Sequence, residues 1–413
     1  MNYRKRFLEI HEFLKPYQRI WQNEIMLLYP DPLVDYPSDW IKELSRFQDM
    51  QDNIDLEKKK VSHLLKNPEL LALYERIEEL SEVPKAPQLP PMPENSYTWL
   101  YIIPKKQYEI KAIAPLVNAY YHEKKIKRII DIGGGIGLLA QTLNNQYGLK
   151  ITSLDLDPIL QNTGAKRHAV NAKDPSNKVS YINVKVDGRS PEFKKLLAPN
   201  SMTLGLHTCG NLANDQIKGS AECGLPLIIN FGCCYHKLEH ARESENISAL
   251  AQSLPDKFEM SQFALTLSSR AHRKMDEKDY HLKQKVKLYR YAIHILLHDE
   301  YGQGELTALG NSSPKLYDES FGTYALEQFK RISLEPKHSK EELDDFFNHP
   351  IRQKLIKDMI AAGLIRNAFG RLLEMYILLD RVCYLEEQGY KVQLLEFFDE
   401  SLSPRNLGIV AEI

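Results

Sequence analysis

No apolar run in this 413-residue chain approaches the roughly 18 residues needed to span a membrane. Its start, MNYRKRFLEIHEFLKPY, has basic residues but lacks the continuous apolar stretch of a secretory leader. The expectation is a cytoplasmic protein with no membrane partner. Cysteine is sparse: Cys209, Cys223, Cys233, Cys234 and Cys383, an odd number with four inside 26 positions. That excludes a disulfide framework and points to reduced thiols. Excess charge is missing too, with 54 Lys and Arg against 55 Asp and Glu. Nothing draws the whole chain to a polyanion, so a nucleic-acid surface has to be regional. Repeats of about 20–50 residues are absent, which excludes solenoids and propellers. What remains, 43% hydrophobic and 26% charged residues, is the composition of a folded chain with a large core.

The chain changes texture along its length. Phe7, Ile10, Phe13, Leu14, Tyr17, Ile20 and Trp21 recur at three and four, the period of an amphipathic helix that Pro16 bends or divides. DWIKELSRF and PELLALYERIEEL repeat that pattern, so residues 1–96 read as a helical N-terminal region. It ends in a stiff Pro-rich linker, EVPKAPQLPPMPENS (82–96). From residue 97 to 413 the reading is α/β: a Rossmann-like, seven-stranded sheet. The short runs RIIDI (128–132), KITSLDL (150–156), VSYINVKV (179–186), MTLGL (202–206) and PLIINF (226–231) alternate with helix-length segments, as parallel strands require. A helical insertion covers about 270–388, where Ser339 and Glu342 form a capping box and Gly389 a stop. YKVQLLEFFD and NLGIVAEI supply the closing strands, about 391–413.

IIDIGGGIGLLAQTL carries Asp131, then Gly133, Gly135 and Gly137, then a helix opening at Leu138. A backbone that turns sharply against a ligand needs residues without Cβ, and the helix start offers free N–H groups. Two cofactor classes fit: Asp-x-Gly-x-Gly-x-Gly suits S-adenosylmethionine, while GIGLLA can be aligned with a dinucleotide fingerprint. The first is preferred, because Asp131 can reach an ammonium and would repel a pyrophosphate. Asp155, 20 residues past Gly135, is placed for ribose hydroxyls, and Asp187, read as the end of the third strand, for an adenine amino group.

The fourth and fifth strands end in LHTCGNL (206–212) and NFGCCYHKL (230–238), which sheet order makes neighbours. His207, Cys209, Cys233, Cys234, Tyr235 and His236 then converge. Three readings are open: a zinc site, against which stands the tendency of adjacent strand residues to face opposite ways; a nucleophilic Cys234; or a substrate pocket. The pocket is preferred, with Tyr235 stacking, Cys209 and Cys233 lining it, the turn's carbonyls accepting from an amine, and His207 or His236 taking a proton. No metal is assigned. Arg405 and Asn406, in the closing hairpin, are expected at the substrate entrance.

LHTCGNL and FGCCYHKL, with IIPKKQYEI (102–110) upstream and LLDRVCYLEEQGY and FFDESLSPRNLGIVAEI downstream, resemble a methyltransferase-like family that has carried the description ribosomal RNA adenine dimethylase domain-containing. The resemblance spans roughly residues 100 to 413 and implies an S-adenosylmethionine-dependent methyltransferase with Asp131, Gly133, Gly135, Asp155 and Asp187 on the cofactor. Asn211 stands where that family carries an acid. The paired stretches are also similar to tRNA 2′-O-methyltransferases, with His236 aligning and Tyr235 departing.

Between Arg270 and Arg290 lie eight basic residues (Arg270, Arg273, Lys274, Lys278, Lys283, Lys285, Lys287 and Arg290) against three acids, with Tyr280 and Tyr289 interleaved. With Lys105 and Lys106 these favour RNA as the partner. A protein methyltransferase and a non-catalytic cofactor-binding scaffold are the alternatives.

Overall fold

The computed structural model describes all residues except 48–63, 95–98, 100–101, 239–245, 270–276 and 305–306. Arg270, Arg273 and Lys274 of the basic stretch therefore lie outside the described residues. The chain divides into two compact units: Met1–Phe13, Leu80–Arg273 and Arg371–Ile413 form one, and Leu14–Glu79 with Lys274–Gly370 the other.

The first unit is built on seven strands: β1 (Arg128–Ile132), β2 (Ile151–Asp155), β3 (Ser180–Asn183), β4 (Ser201–Cys209), β5 (Leu227–Cys233), β6 (Lys391–Glu396) and β7 (Leu407–Glu412). Their order is β3-β2-β1-β4-β5-β7-β6. The first five pair in parallel, and β7 lies antiparallel to both neighbours. Apolar residues alternate between two covered faces, so the strands read as continuous hydrophobic runs. Ile129 packs with Ile110, Ile113 and Val117 of the helix Pro104–Glu123, whereas Ile130 and Ile132 join Leu154 and Phe193 on the opposite face.

Three boundaries differ from expectation, each for a pairing reason. β3 stops at Asn183, because its one partner, β2, ends opposite it at Asp155. β4 runs three residues further than expected, since pairing with β5 resumes past an irregularity as Thr208↔Gly232 and Cys209↔Cys233. Part of the expected linker runs beside β6: Ala86 N–H donates to the Glu396 carbonyl (2.8 Å) and Glu396 N–H to Pro84 (2.9 Å). Prolines are tolerated there because that edge needs few donors.

In the second unit Tyr289 of the helix Glu277–Tyr301 sits 5.1–6.2 Å from the rings of Tyr317, Phe321, Tyr324 and Phe347. The helix Lys340–Asn348 opens on the expected capping box, with Ser339 N–H donating to Glu342 at 2.7 Å. The 38-residue helix Pro350–Glu387 follows, and Gly389 lies just beyond it at φ 87°. No described helix is long and apolar enough to cross a membrane.

Candidate functional site

At the β1 end, three glycines take left-handed backbone: Gly133 (φ 66°), Gly135 (φ 58°) and Gly137 (φ 72°). Gly134, between the first two, and Gly137 show why side chains are excluded. A Cβ on Gly134 would lie 2.2 Å from Ser153 Oγ and 2.5 Å from Asp131 Oδ2, and one on Gly137 would meet the Tyr181 hydroxyl at 2.8 Å. The turn is fastened to β2: Gly135 N–H donates to Asp155 Oδ2 (2.8 Å), and Asp157 N–H donates to Asp155 Oδ1 (2.9 Å). Asp155 therefore holds the turn through both carboxyl oxygens and keeps lone pairs for a ligand hydroxyl.

Asp131 is 3% exposed, and its Oδ2 has no hydrogen-bond partner among the described residues. Burial pushes its carboxyl up to about 7, opposed by the Lys106 charge and reinforced by Asp155. An orphaned buried acceptor beside a Cβ-free turn fits a ligand cation, as expected for the ammonium or sulfonium of S-adenosylmethionine. Asp187 is placed differently from expectation. With β3 ending at Asn183, it lies four residues past the strand, where its Oδ1 accepts from Arg189 N–H (3.0 Å). Asn183 holds the strand end instead, donating to the Asp155 and Leu156 carbonyls at 3.0 and 2.7 Å.

The β4 and β5 ends are neighbours, as expected, but the route to them was not read from the sequence. His207 takes a left-handed conformation (φ 67°) at the irregularity in β4. Such a bulge re-aims a side chain, and here the imidazole meets Glu109: Nε2 lies 2.9 Å from Oε2. Glu109 is fully buried and also accepts from Ser403 Oγ (2.7 Å), with Lys106 Nζ at 3.0 Å and Lys105 Nζ at 3.7 Å. Burial would raise its carboxyl, but the bond and charge of His207, the Lys106 charge and the Ser403 hydroxyl hold it down at about 2. An ionised Glu109 fixes the imidazole tautomer with the proton on Nε2, leaving Nδ1 as the basic atom. Both lysines thus pair with this carboxylate, Lys106 more closely than Lys105.

Cys234 is the second non-glycine residue in left-handed backbone here (φ 51°). That conformation breaks strand alternation, so Cys233 and Cys234 both reach Cys209, contrary to the argument from opposite strand faces. The three sulfurs lie within 4.8 Å of one another, with Cys209 Sγ 3.4 Å from Cys233 Sγ. The Cys209 thiol is pulled down to about 5, chiefly by the hydrogen bond from Cys233, against burial and with help from Cys234, Lys237 and His207. Cys233 is pushed up by the same bond and by burial, and Cys234 mainly by burial. The cluster favours one thiolate, on Cys209 rather than on Cys234, the residue weighed as a nucleophile.

Tyr235 offers no stacking face. It is fully buried, its hydroxyl 3.3 Å from the Gly232 carbonyl and 3.2 Å from Glu374 Oε1. His236 is pinned through its backbone, its N–H donating to Ser269 Oγ (3.2 Å) and its carbonyl accepting from Gln262 Nε2 (2.7 Å). Arg405 donates to the Ser269 carbonyl, and Asn406 is 1% exposed and accepts from Arg371 at 2.9 Å. Asn406 is thus interior to the hairpin, not a group at an entrance. Beneath the strand ends, Asn230 donates to Thr208 Oγ1 (3.0 Å) and Gln216 Oε1 (2.8 Å), locking the β4–β5 register.

Residues 105–241 match the model of a family described as Methyltransferase domain. That is about a third of the chain, and it contains the glycine turn, Glu109 and both strand ends. The mouse protein named probable methyltransferase-like protein 25 is 25% identical over 226 residues, covering 51% of this chain and 37% of its own. The human protein of that name is 24% identical over 233 residues, covering 51% and 36%. The chain spans a little over a third of the length of the curated relatives it matches. With the seven-stranded order, these matches support a methyltransferase. The antiparallel β7 between β5 and β6 also sets this sheet apart from the 3-2-1-4-5-6 order of dinucleotide enzymes.

Proposed function

We propose that the chain is an S-adenosylmethionine-dependent methyltransferase. The observation that carries this is Asp131, a buried carboxylate with an oxygen lacking a hydrogen-bond partner beside the glycine turn, in a sheet whose domain matches methyltransferases. When bound, S-adenosylmethionine supplies an electrophilic methyl group. Asp155 would hold its ribose hydroxyls and Asp131 its cationic end. Methyl transfer is an in-line displacement dominated by positioning. His207 supports one further step: with Nε2 committed to Glu109, Nδ1 can take the proton of an incoming nitrogen or hydroxyl nucleophile.

RNA is the acceptor put to the test first, in the cytoplasm that five free thiols suit. Its support is the lysines of the helix Glu277–Tyr301. Tyr280 and Tyr289 give none, since both are buried and cannot stack on bases. The experiment is label transfer from methyl-labelled S-adenosylmethionine into lysate fractions treated with RNase or protease. Label lost to RNase and kept through protease is the expected result. The reverse gives a protein acceptor, and cofactor binding without any transfer gives a scaffold. In the same assay His207→Gln should keep cofactor affinity within about twofold and lose roughly 10²- to 10⁴-fold in turnover. Asp155→Ala should weaken cofactor binding by about 30- to 100-fold in calorimetry, the loss of charge-assisted hydrogen bonds of about 2–3 kcal/mol. Retained affinity would contradict the ribose contact.

A further inference from the structure

Arg381 is among the most unusual groups in the first unit. Its guanidinium is 1% exposed, and none of its three nitrogens has a hydrogen-bond partner among the described residues. The nearby acids are already engaged. Glu374 gives Oε1 to the Tyr235 hydroxyl and Oε2 to Arg371 at 2.6 Å. Asp380 accepts from Ile247 N–H, Ser248 N–H and Ser248 Oγ. What the guanidinium does face is the end of β5: a Cβ on Gly232 would meet Nη1 at 2.3 Å, and the Tyr235 ring lies 5.4 Å away. Asp380 and Glu374 act on it through charge, yet no described acceptor meets its nitrogens, and a buried guanidinium without hydrogen bonds is costly, so a site that brings further negative charge to Gly232–Cys234 would help to satisfy it.

We propose that Cys209, Cys233 and Cys234 bind a borderline-soft divalent cation of the zinc class, and that Arg381 balances its charge from beneath. Four-coordinate zinc with bonds to sulfur of about 2.3 Å separates its sulfurs by roughly 3.8 Å. The distance of 3.4 Å between Cys209 and Cys233, and the 4.8 Å limit on all three, need only small side-chain rotations to reach that arrangement. Three thiolates around a divalent ion leave one net negative charge, which one guanidinium neutralises. A monovalent soft ion would leave two. Cys233 is buried and Cys209 and Cys234 are partly exposed, so the ion reaches the cluster past those two thiols. With three protein ligands the fourth position stays open to water or an exogenous ligand, the arrangement of reactive rather than purely structural zinc. Ligation by all three sulfurs also explains why a left-handed cysteine is held at 234: that backbone brings a second consecutive thiol to Cys209.

The test uses the full chain, reduced, stripped with a chelator and titrated anaerobically with cobalt(II), whose thiolate charge-transfer absorption reports sulfur ligation. One equivalent with that absorption, displaced by zinc, is expected. Cys209→Ser and Cys234→Ser should each weaken binding by at least roughly a hundredfold and diminish the band. Cys383→Ser, a buried thiol elsewhere, should leave both unchanged. Arg381→Met should keep the stoichiometry and weaken affinity by about tenfold, as loss of an outer-shell partner does. Absence of the band, an undiminished band in Cys209→Ser, or a reduced protein that oxidises to a Cys209–Cys233 disulfide while ignoring metal would each overturn the proposal.

Discussion

The β1–β2 ends and the β4–β5 ends belong to one sheet and follow opposite construction rules. At the first, the backbone does the work: glycines take the left-handed positions, and Asp155 fastens the turn within 20 residues of Gly135. At the second, His207 and Cys234 occupy left-handed backbone with full side chains, a conformation costing about 1–2 kcal/mol each. Partners from 98 and 294 residues apart in sequence then hold the cluster, through the Glu109–His207 and Ser403–Glu109 contacts. The turn proposed to meet the cofactor is local and nearly free of side chains, whereas the cluster at the other strand ends is held by strain and long-range polar contacts.

The contrast is broken most severely by Glu109→Gln. Removing one member of a buried ion pair should cost about 3–5 kcal/mol in denaturant unfolding at neutral pH. The sign with pH is fixed: Glu109 is depressed from 4.5 to about 2, so its contribution is present above 4.5 and is lost as pH falls through 2. The variant and the parent should therefore converge in stability below that range. If they stay equally apart in acid, the stabilisation is not ionic.

Asp131 sharpens the comparison from the other side. Its carboxyl is raised to about 7, so without ligand its ionisation opposes folding increasingly as pH rises from 3.8 through 7. A cationic cofactor favours the ionised form. Its affinity should rise with pH by at most about tenfold per unit below 7 and level off above. Asp131→Asn should flatten that profile, and an unchanged slope in calorimetry would assign the proton to another group. The smallest effect is expected at the strained turn. In metal-free protein Cys234→Gly should raise stability by about 0.5 kcal/mol, the relief of left-handed strain less the added freedom of glycine in the unfolded chain. A loss of stability would mean that the side chain, not the backbone, sets that conformation.

This contrast also decides what was legible in the sequence. The strands, the glycine turn, the capping box at Ser339 and the meeting of the two Cys-bearing strand ends follow from local period and spacing, and the sheet bears out the fold. Asp187 was misplaced because the length of β3 depends on where its partner stops. Tyr235 was taken for a pocket wall because aromatic residues beside a site look alike until burial is known. Glu109 left a signal that went unused: an acid on the apolar face of a helix, between Tyr108 and Ile110, with lysines three and four residues earlier. Arg381 left none, since nothing local distinguishes an unpaired guanidinium from the arginines at 366 and 371, which have partners.

The place of β7 has a consequence for how the protein is made. It fills the gap between β5 and β6, yet it follows both of them in the sequence. Until β7 leaves the ribosome, β5 is an open edge carrying Phe231, Gly232 and Cys233, with only β4 beside it. A nascent chain halted before Leu407 would present that apolar edge to other chains, and a fragment cut to residues 105–241 would do so and also lack Ser403, the hydroxyl partner of Glu109. Expression trials of shortened forms should meet aggregation before they meet loss of chemistry.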